Sequence, residues 1–315
     1  MPLFKRPDGE LVRDESNVRK MMPYLMRGRN ESAVYHEQLY DLTKTRPWLR
    51  AYNRAHPDAA ATLFHLMLFG FAHGFHQRPG LNRFVAGGRI YQRKGVYLSF
   101  AAKKLMDANA PLVTVKMLMP PDEPFHEFAK RVATTIDGSR SDRKSVVDTE
   151  LKLALALPGP LVRGVMAGIR GLDNMNLLPG SMIDHDPMYA SAFVGNLGSV
   201  GIDNTFHHLY EYGTISLFSV IGQVKKRVLV SRDNQPVVRD TVSVRWTFDE
   251  RINDGFYCAL GLRVPVAMIE DPERYFGSPT QPNKVAQVGE APEPKQAAEP
   301  AAKPSSKSAT VANAR

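Results

Sequence analysis

At 315 residues the chain has room for one large domain or two small ones, and a hydrophobic content of 43% is enough for a real core. A net charge of +9 favours anionic partners, from nucleic acid and phosphate-bearing cofactors to an acidic membrane face, but no long Lys/Arg run appears and a soluble basic surface reads better. The single cysteine, Cys258, excludes an internal disulfide framework and a cysteine zinc site, and fits a reducing cytoplasm.

Residues 1–15 read as an N-terminal arm. Met1 to Arg29 is charged throughout, so no signal peptide is expected. Residues 59–77 contain no Lys, Arg, Asp or Glu, a length close to a membrane span. His65, His73 and His76 interrupt the run, which therefore predicts a buried amphipathic helix with its histidines at the core edge or surface. The alternation over 82–104 predicts two strands turning at Gly87-Gly88 and then a third, and "PLVTVKMLM" (111–119) a fourth. "PDEPFHEFAKRVATTIDGSR" begins acidic and ends basic, as a helix prefers.

Helical patterning continues through "SVVDTELKLALAL" and, past Pro158 and Pro160, "LVRGVMAGIRGLDNMNLL", a helical insertion at about 145–180. Its apolar stretch with sparse Lys152, Arg163 and Arg170 leaves two readings open. One is peripheral membrane contact through 151–172; the other is a helical hairpin covering a sheet.

From 190 strands dominate: "ASAFVGNLGSVG", "GTISLFSVIGQV", and a hairpin about Asp233-Asn234 whose second arm alternates Val242, Val244, Trp246 and Phe248. "DGFYCALGLRVPVAMIED" returns to helix before Pro272, and 278–315 is an Ala/Pro/Lys tail too poor in apolar groups to offset its ordering entropy. His185 between Asp184 and Asp186 suggests a metal, but "IDHDP" fits a helix cap and turn better. No Walker loop, dinucleotide fingerprint or Gly-x-Ser-x-Gly elbow is present. The basic charge lacks the aromatic interleaving of single-strand nucleic-acid binders, so no nucleic-acid partner is expected.

Four segments, in order, carry a resemblance: "RKMMPYLMRGRNESAVYHEQLYDLTK", "FHQRPGLNRFVAGGRIYQRKGVYLSFAAK", "AFVGNLGSVGID" and "SVRWTFDERINDGFYCALGL". Together they resemble the catalytic domain of the dihydrolipoamide acyltransferases of 2-oxoacid dehydrogenase complexes, whose fold chloramphenicol acetyltransferase shares. The resemblance runs over about 16–272. It implies an α/β two-layer sandwich with a large mixed sheet, assembled as a homotrimer with sites between subunits. It also implies acyl transfer from a thioester, with coenzyme A as the carrier.

The family's histidine base aligns with Glu250 and its hydroxyl with Gly195; Ser191 and Ser199 are near but out of register. Gly195, Asn196 and Ser199, around the Asn-Leu-Gly turn, are the implied cofactor contacts. Asp254 and Arg251 match the pair that braces the catalytic loop. A carboxylate near pKa 4.3 matches a thiol near 8.5 poorly, about four units apart. The expected source of a replacement base is "NTFHHLYEYG" (204–213), where His207 or His208, oriented by a glutamate, would form a base and its orienter. The sequence contains neither the lipoyl domain nor the subunit-binding domain of that family, so a working dehydrogenase core is not expected. An acyltransferase and a non-catalytic scaffold trimer both remain open readings.

Overall fold

The computed structural model describes residues 4–103, 112–140, 156–231 and 233–283. Its centre is a seven-stranded mixed sheet. In order across the sheet run β2 (Ala33–Asp41), β10 (Pro236–Asp249), β8 (Leu217–Ile221), β7 (Ala192–Asn196), β5 (Tyr97–Lys103) and β6 (Leu112–Leu118). The strand β9 (Lys225–Val230) pairs with the first half of β10. The pairs β5–β7 and β7–β8 are parallel and the rest antiparallel. A small second sheet holds β1 (Gly9–Leu11), β4 (Arg89–Arg93) and β3 (Arg83–Ala86). Between β3 and β4, Gly87 and Gly88 both adopt positive φ, the conformation a two-residue hairpin needs.

The helices are α1 (Asn17–Leu25), α2 (Thr45–Ala55), α3 (Leu63–Gln77), α4 (Phe125–Arg140), α5 (Gly159–Asn174), α6 (Gly180–His185), α7 (Gly255–Glu270) and α8 (Pro272–Phe276). One face of the sheet is covered by α2, α3, α4, α7 and α8, with α3, α4 and α7 as the main layer, while α6 lies at the opposite face, where Lys116 Nζ donates to the Ile183 carbonyl (2.7 Å). The period-2 pattern of β10 works as expected: Val242, Val244, Trp246 and Phe248 all enter the core. Against Trp246 lies Phe71 of α3, ring centroids 4.5 Å apart. On its other side α3 meets α7 closely: a Cβ on Gly70 would stand 3.3 Å from Ile269 and one on Gly74 would stand 3.3 Å from the Gly261 carbonyl.

That placement corrects the expectation for two of the α3 histidines. His65 is 7% exposed and His73 3% exposed, inside the core and not at its edge, while His76, in the last turn, is half-buried as expected. The middle turns of the helix have a layer on both sides, so no face there is left for water. The N-terminal arm also proves structural, since it supplies β1 and buries Arg6 between Asp8 and Asp173, each 2.6–2.7 Å away. At the other end, a bridge from Ser278 to Gln281 and a buried Pro282 carry the described chain past the expected boundary at 278.

Of the helical insertion, the segment expected to be helical at 145–155 lies outside the described residues. The rest forms α5, with Leu161, Val165 and Leu172 exposed. Among the described residues no helix is long and apolar enough to cross a membrane.

Candidate active site and its loop

The loop from β10 to α7 is held by charge. Asp249, the last residue of β10, is fully buried. Its Oδ1 accepts hydrogen bonds from Ser32 Oγ (2.9 Å), Arg251 N (3.1 Å) and Arg251 Nε (2.8 Å), and its Oδ2 from Arg251 Nη2 (2.7 Å). The same guanidinium donates through Nη1 to the carbonyls of Met26 (3.1 Å) and Arg27 (3.0 Å). A paired fork of this kind satisfies two groups that would otherwise be costly to bury.

This geometry corrects the expected brace. Arg251 pairs with Asp249, not with Asp254. Asp254 instead caps α7, its Oδ1 accepting from Tyr257 N at 2.8 Å, and its side chain is 62% exposed. The cation that faces it is Arg19, with Nη2 4.0 Å from Oδ2. Arg19 also donates through Nη1 to the Glu250 carbonyl at 2.5 Å, so it spans the loop from end to end. Nothing local in the sequence marks Arg19, which lies 231 positions upstream of Glu250.

An exposed, loosely spaced ion pair is worth about 0–1 kcal/mol, and asparagine caps a helix as well as aspartate. Asp254→Asn is therefore expected to lower stability by about 1 kcal/mol or less in urea denaturation. A loss above about 2 kcal/mol would restore Asp254 as the main brace.

Glu250 follows the strand end. Its N–H bonds the Ser32 carbonyl at 3.0 Å, and no hydrogen bond or ion pair holds its carboxylate among the described residues. The 204–212 segment crosses the sheet face opposite α3, α4 and α7. Asn204 Nδ2 donates to Ser243 Oγ (2.9 Å), Arg245 stacks over Phe206 (4.2 Å), and Thr247 Oγ1 donates to the His207 carbonyl (2.6 Å). The His207 ring lies flat on Phe218, with centroids 3.9 Å apart and planes 7° apart.

Each histidine of the pair meets a backbone carbonyl through Nδ1: His207 meets His208 O at 2.7 Å and His208 meets Leu209 O at 2.9 Å. A carbonyl only accepts, so Nδ1 carries the proton and the neutral ring presents Nε2 as its base. Burial pushes the His207 pKa down, which keeps that ring neutral. Glu211 does not orient either ring, because its carboxylate accepts from Arg29 N (3.1 Å), Asn30 N (3.0 Å) and Asn30 Nδ2 (3.0 Å).

Sheet register separates the two family positions within one protomer. Gly195 pairs with Val220, which pairs with Arg245, five residues before Glu250. At the strand rise this puts Gly195 and Glu250 about 16 Å apart along the sheet. His207 is nearer to Gly195 through Phe218. Phe218 Cε1 lies 3.8 Å from where a Gly195 Cβ would stand, and the ring packs on His207.

A Cβ at Gly195 would meet nothing closer than 3.7 Å, so there is room for a side chain but no hydroxyl. The neighbouring hydroxyls are committed: Ser191 Oγ accepts from Tyr97 N (2.9 Å) and Ser199 Oγ donates to Asn196 O (2.8 Å). Asn196 Oδ1 also accepts from Ser199 N (3.2 Å), so this turn closes on itself.

At the "IDHDP" stretch Asp186 makes a turn, with Oδ1 accepting from Met188 N (2.8 Å) and Oδ2 from Tyr212 Oη (2.6 Å). Among the described residues no group of three or more His, Cys, Asp and Glu is placed to hold a metal ion.

No family model matches the chain, and no curated protein matches it. Solved structures do. A probable dihydrolipoamide acetyltransferase from Listeria monocytogenes 4b F2365 aligns with a TM-score of 0.53 at 16% identity, covering 83% of this chain and 95% of that one. The dihydrolipoamide acetyltransferase of Azotobacter vinelandii aligns at 0.54 and 15% identity, covering 84% and 93%. A truncated catalytic core of the 2-oxoacid dehydrogenase multienzyme complex from Thermoplasma acidophilum aligns at 0.52 and 13%, covering 84% and 99%. Helix layer, mixed sheet and strand order together give this chain the fold of the dihydrolipoamide acyltransferase catalytic domains.

Proposed function

We propose that the protein is a divergent acyltransferase that moves an acyl group from a thioester, with coenzyme A as its carrier, to an acceptor nucleophile. Coenzyme A supplies an activated carbonyl and a thiol leaving group. The observation that carries this reading is His207, a neutral ring with its Nδ1 proton tied to a carbonyl and no hydrogen bond to its Nε2 among the described residues. In this proposal Nε2 takes the acceptor's proton as the acceptor attacks the thioester carbonyl. It returns that proton to the thiolate when the intermediate collapses.

A Cβ fits at Gly195 in ordinary van der Waals contact with Phe218 and Val220. Asn196 and Ser199 contribute less than expected, since their turn bonds internally. We further propose a homotrimer. The separation of Gly195 from Glu250 along one sheet fits a site completed by a neighbouring subunit.

A second reading, a non-catalytic scaffold trimer, draws on the missing hydroxyl at Gly195. Loss of one oxyanion donor costs roughly 10²–10³ in rate.

The test is free-thiol release from a panel of acyl-coenzyme A donors. His207→Ala is expected to lower turnover by roughly 10²–10⁴. Glu250→Gln and His208→Ala are expected to change it only a few-fold. Turnover that depends on Glu250 instead would move the base to the family position. Absence of both turnover and calorimetric coenzyme A binding in the wild type would leave the scaffold reading.

A further inference from the structure

A second concavity lies apart from His207. It is a cleft of about 570 Å³ between the end of α1, the β3–β4 hairpin, the end of α5 and the 211–213 segment. Arg27, Arg29, Arg170 and Arg251 all line it, facing only two carboxylates, Asp173 and Glu211.

Both carboxylates are engaged. Asp173 pairs with Arg6 at 2.7 Å, and Glu211 accepts the backbone N–H groups of Arg29 and Asn30. The charge of Arg251 is matched by Asp249. Among the described residues the other three arginines have no such match.

Arg29 decides the case. It is 7% exposed, and its guanidinium donates only to carbonyls: Nη1 to Glu211 O (3.0 Å) and Tyr210 O (3.5 Å), and Nη2 to Val85 O (3.2 Å). Its Nε is buried with no partner. Among the described residues no carboxylate stands within ion-pair distance of it, and burial lowers its pKa, which marks a charge held at a cost. Arg27 and Arg170, both exposed at the same cleft, hold no ion pair among the described residues. Tyrosines 24, 189 and 212 complete the walls. An arginine fork matches planar or tetrahedral oxyanions.

We propose that this cleft binds a small molecule bearing a carboxylate or phosphate group, with Arg29 as the fixed inner cation and Arg27 and Arg170 closing on it from the rim. The site pairs three arginines that hold no ion pair among the described residues, and it does not require that the protein transfer acyl groups.

The test is calorimetric titration of the full chain with inorganic phosphate and, separately, with succinate, at ionic strength held constant with chloride. At least one of the two is expected to bind, and added salt is expected to weaken it. Whichever binds more tightly assigns the ligand class. Arg29 is buried and its replacement risks misfolding, so the decisive variant is the rim double mutant Arg27→Gln/Arg170→Gln. It is expected to keep its melting temperature while losing affinity by about tenfold or more. Failure of both anions to bind overturns the proposal, as does binding that is unchanged in the double variant.

Discussion

Asp249→Asn is expected to destabilise the protein by about 3–5 kcal/mol, the range for removing one partner of a buried ion pair. Asparagine keeps the size of the side chain and still accepts from Ser32 Oγ, but it leaves the Arg251 guanidinium buried without its anion. The effect should spread. Arg251 also holds the Met26 and Arg27 carbonyls, so the link between α1 and β2 should loosen and the lip of the arginine-lined cleft with it.

Urea denaturation measures the loss. The double replacement Asp249→Leu/Arg251→Met should recover part of it, because a buried pair exchanged for apolar groups is often close to neutral. A loss under about 1 kcal/mol for Asp249→Asn would mean that the pair does not hold the loop. Set beside the small effect expected at Asp254, this places the structural charge at the strand end rather than at the helix cap.

The second large effect is acid sensitivity centred on α3. His65 accepts the Thr62 N–H through Nδ1 at 3.1 Å, and His73 meets the Phe69 carbonyl through Nδ1 at 2.9 Å. In both rings Nε2 is buried without a partner. Burial pushes both pKa values down, from 6.5 to about 4. The folded state therefore binds a proton less readily than the unfolded chain does.

Above the unfolded value both states are neutral and stability is complete. As pH falls through 6.5 towards 4 the unfolded chain takes up protons first and stability is lost, by about 3 kcal/mol for each histidine. Urea midpoints at pH 7.5 and pH 5 check this, with His73→Gln as the control. The fall in stability should shrink in that variant, and an undiminished fall would assign the acid sensitivity to other groups.

Much of the fold was legible because it rests on local rules. The alternation of Val242, Val244, Trp246 and Phe248 reads as one buried face at a period of two, and those side chains do enter the core. The Gly87-Gly88 and Asp233-Asn234 turns follow from the backbone conformations that glycine and asparagine tolerate, and Gly87, Gly88 and Asn234 all have positive φ. The resemblance to the acyltransferase domains rested on four such segments in order, and the described strands run in that order.

The charge network was not legible in the same way. Arg251 and Asp254 stand three apart in sequence, yet Arg251 turns back to Asp249 while Arg19 comes across to Asp254. The histidines of α3 read as polar interruptions of an apolar run; only the layers on either side of the helix removed their water. Arg29 was one basic residue among 41 until the fold buried it with no ion-pair partner among the described residues.

The sequence by itself determined elements such as β10, α3 and α7, though not β1, because backbone preference and hydrophobic periodicity act over a few neighbouring residues. Only the tertiary structure decided which charges pair, which are stranded and which histidines are dry, because Coulomb energy and desolvation depend on distance in space and on excluded water, and neither is written in residue spacing.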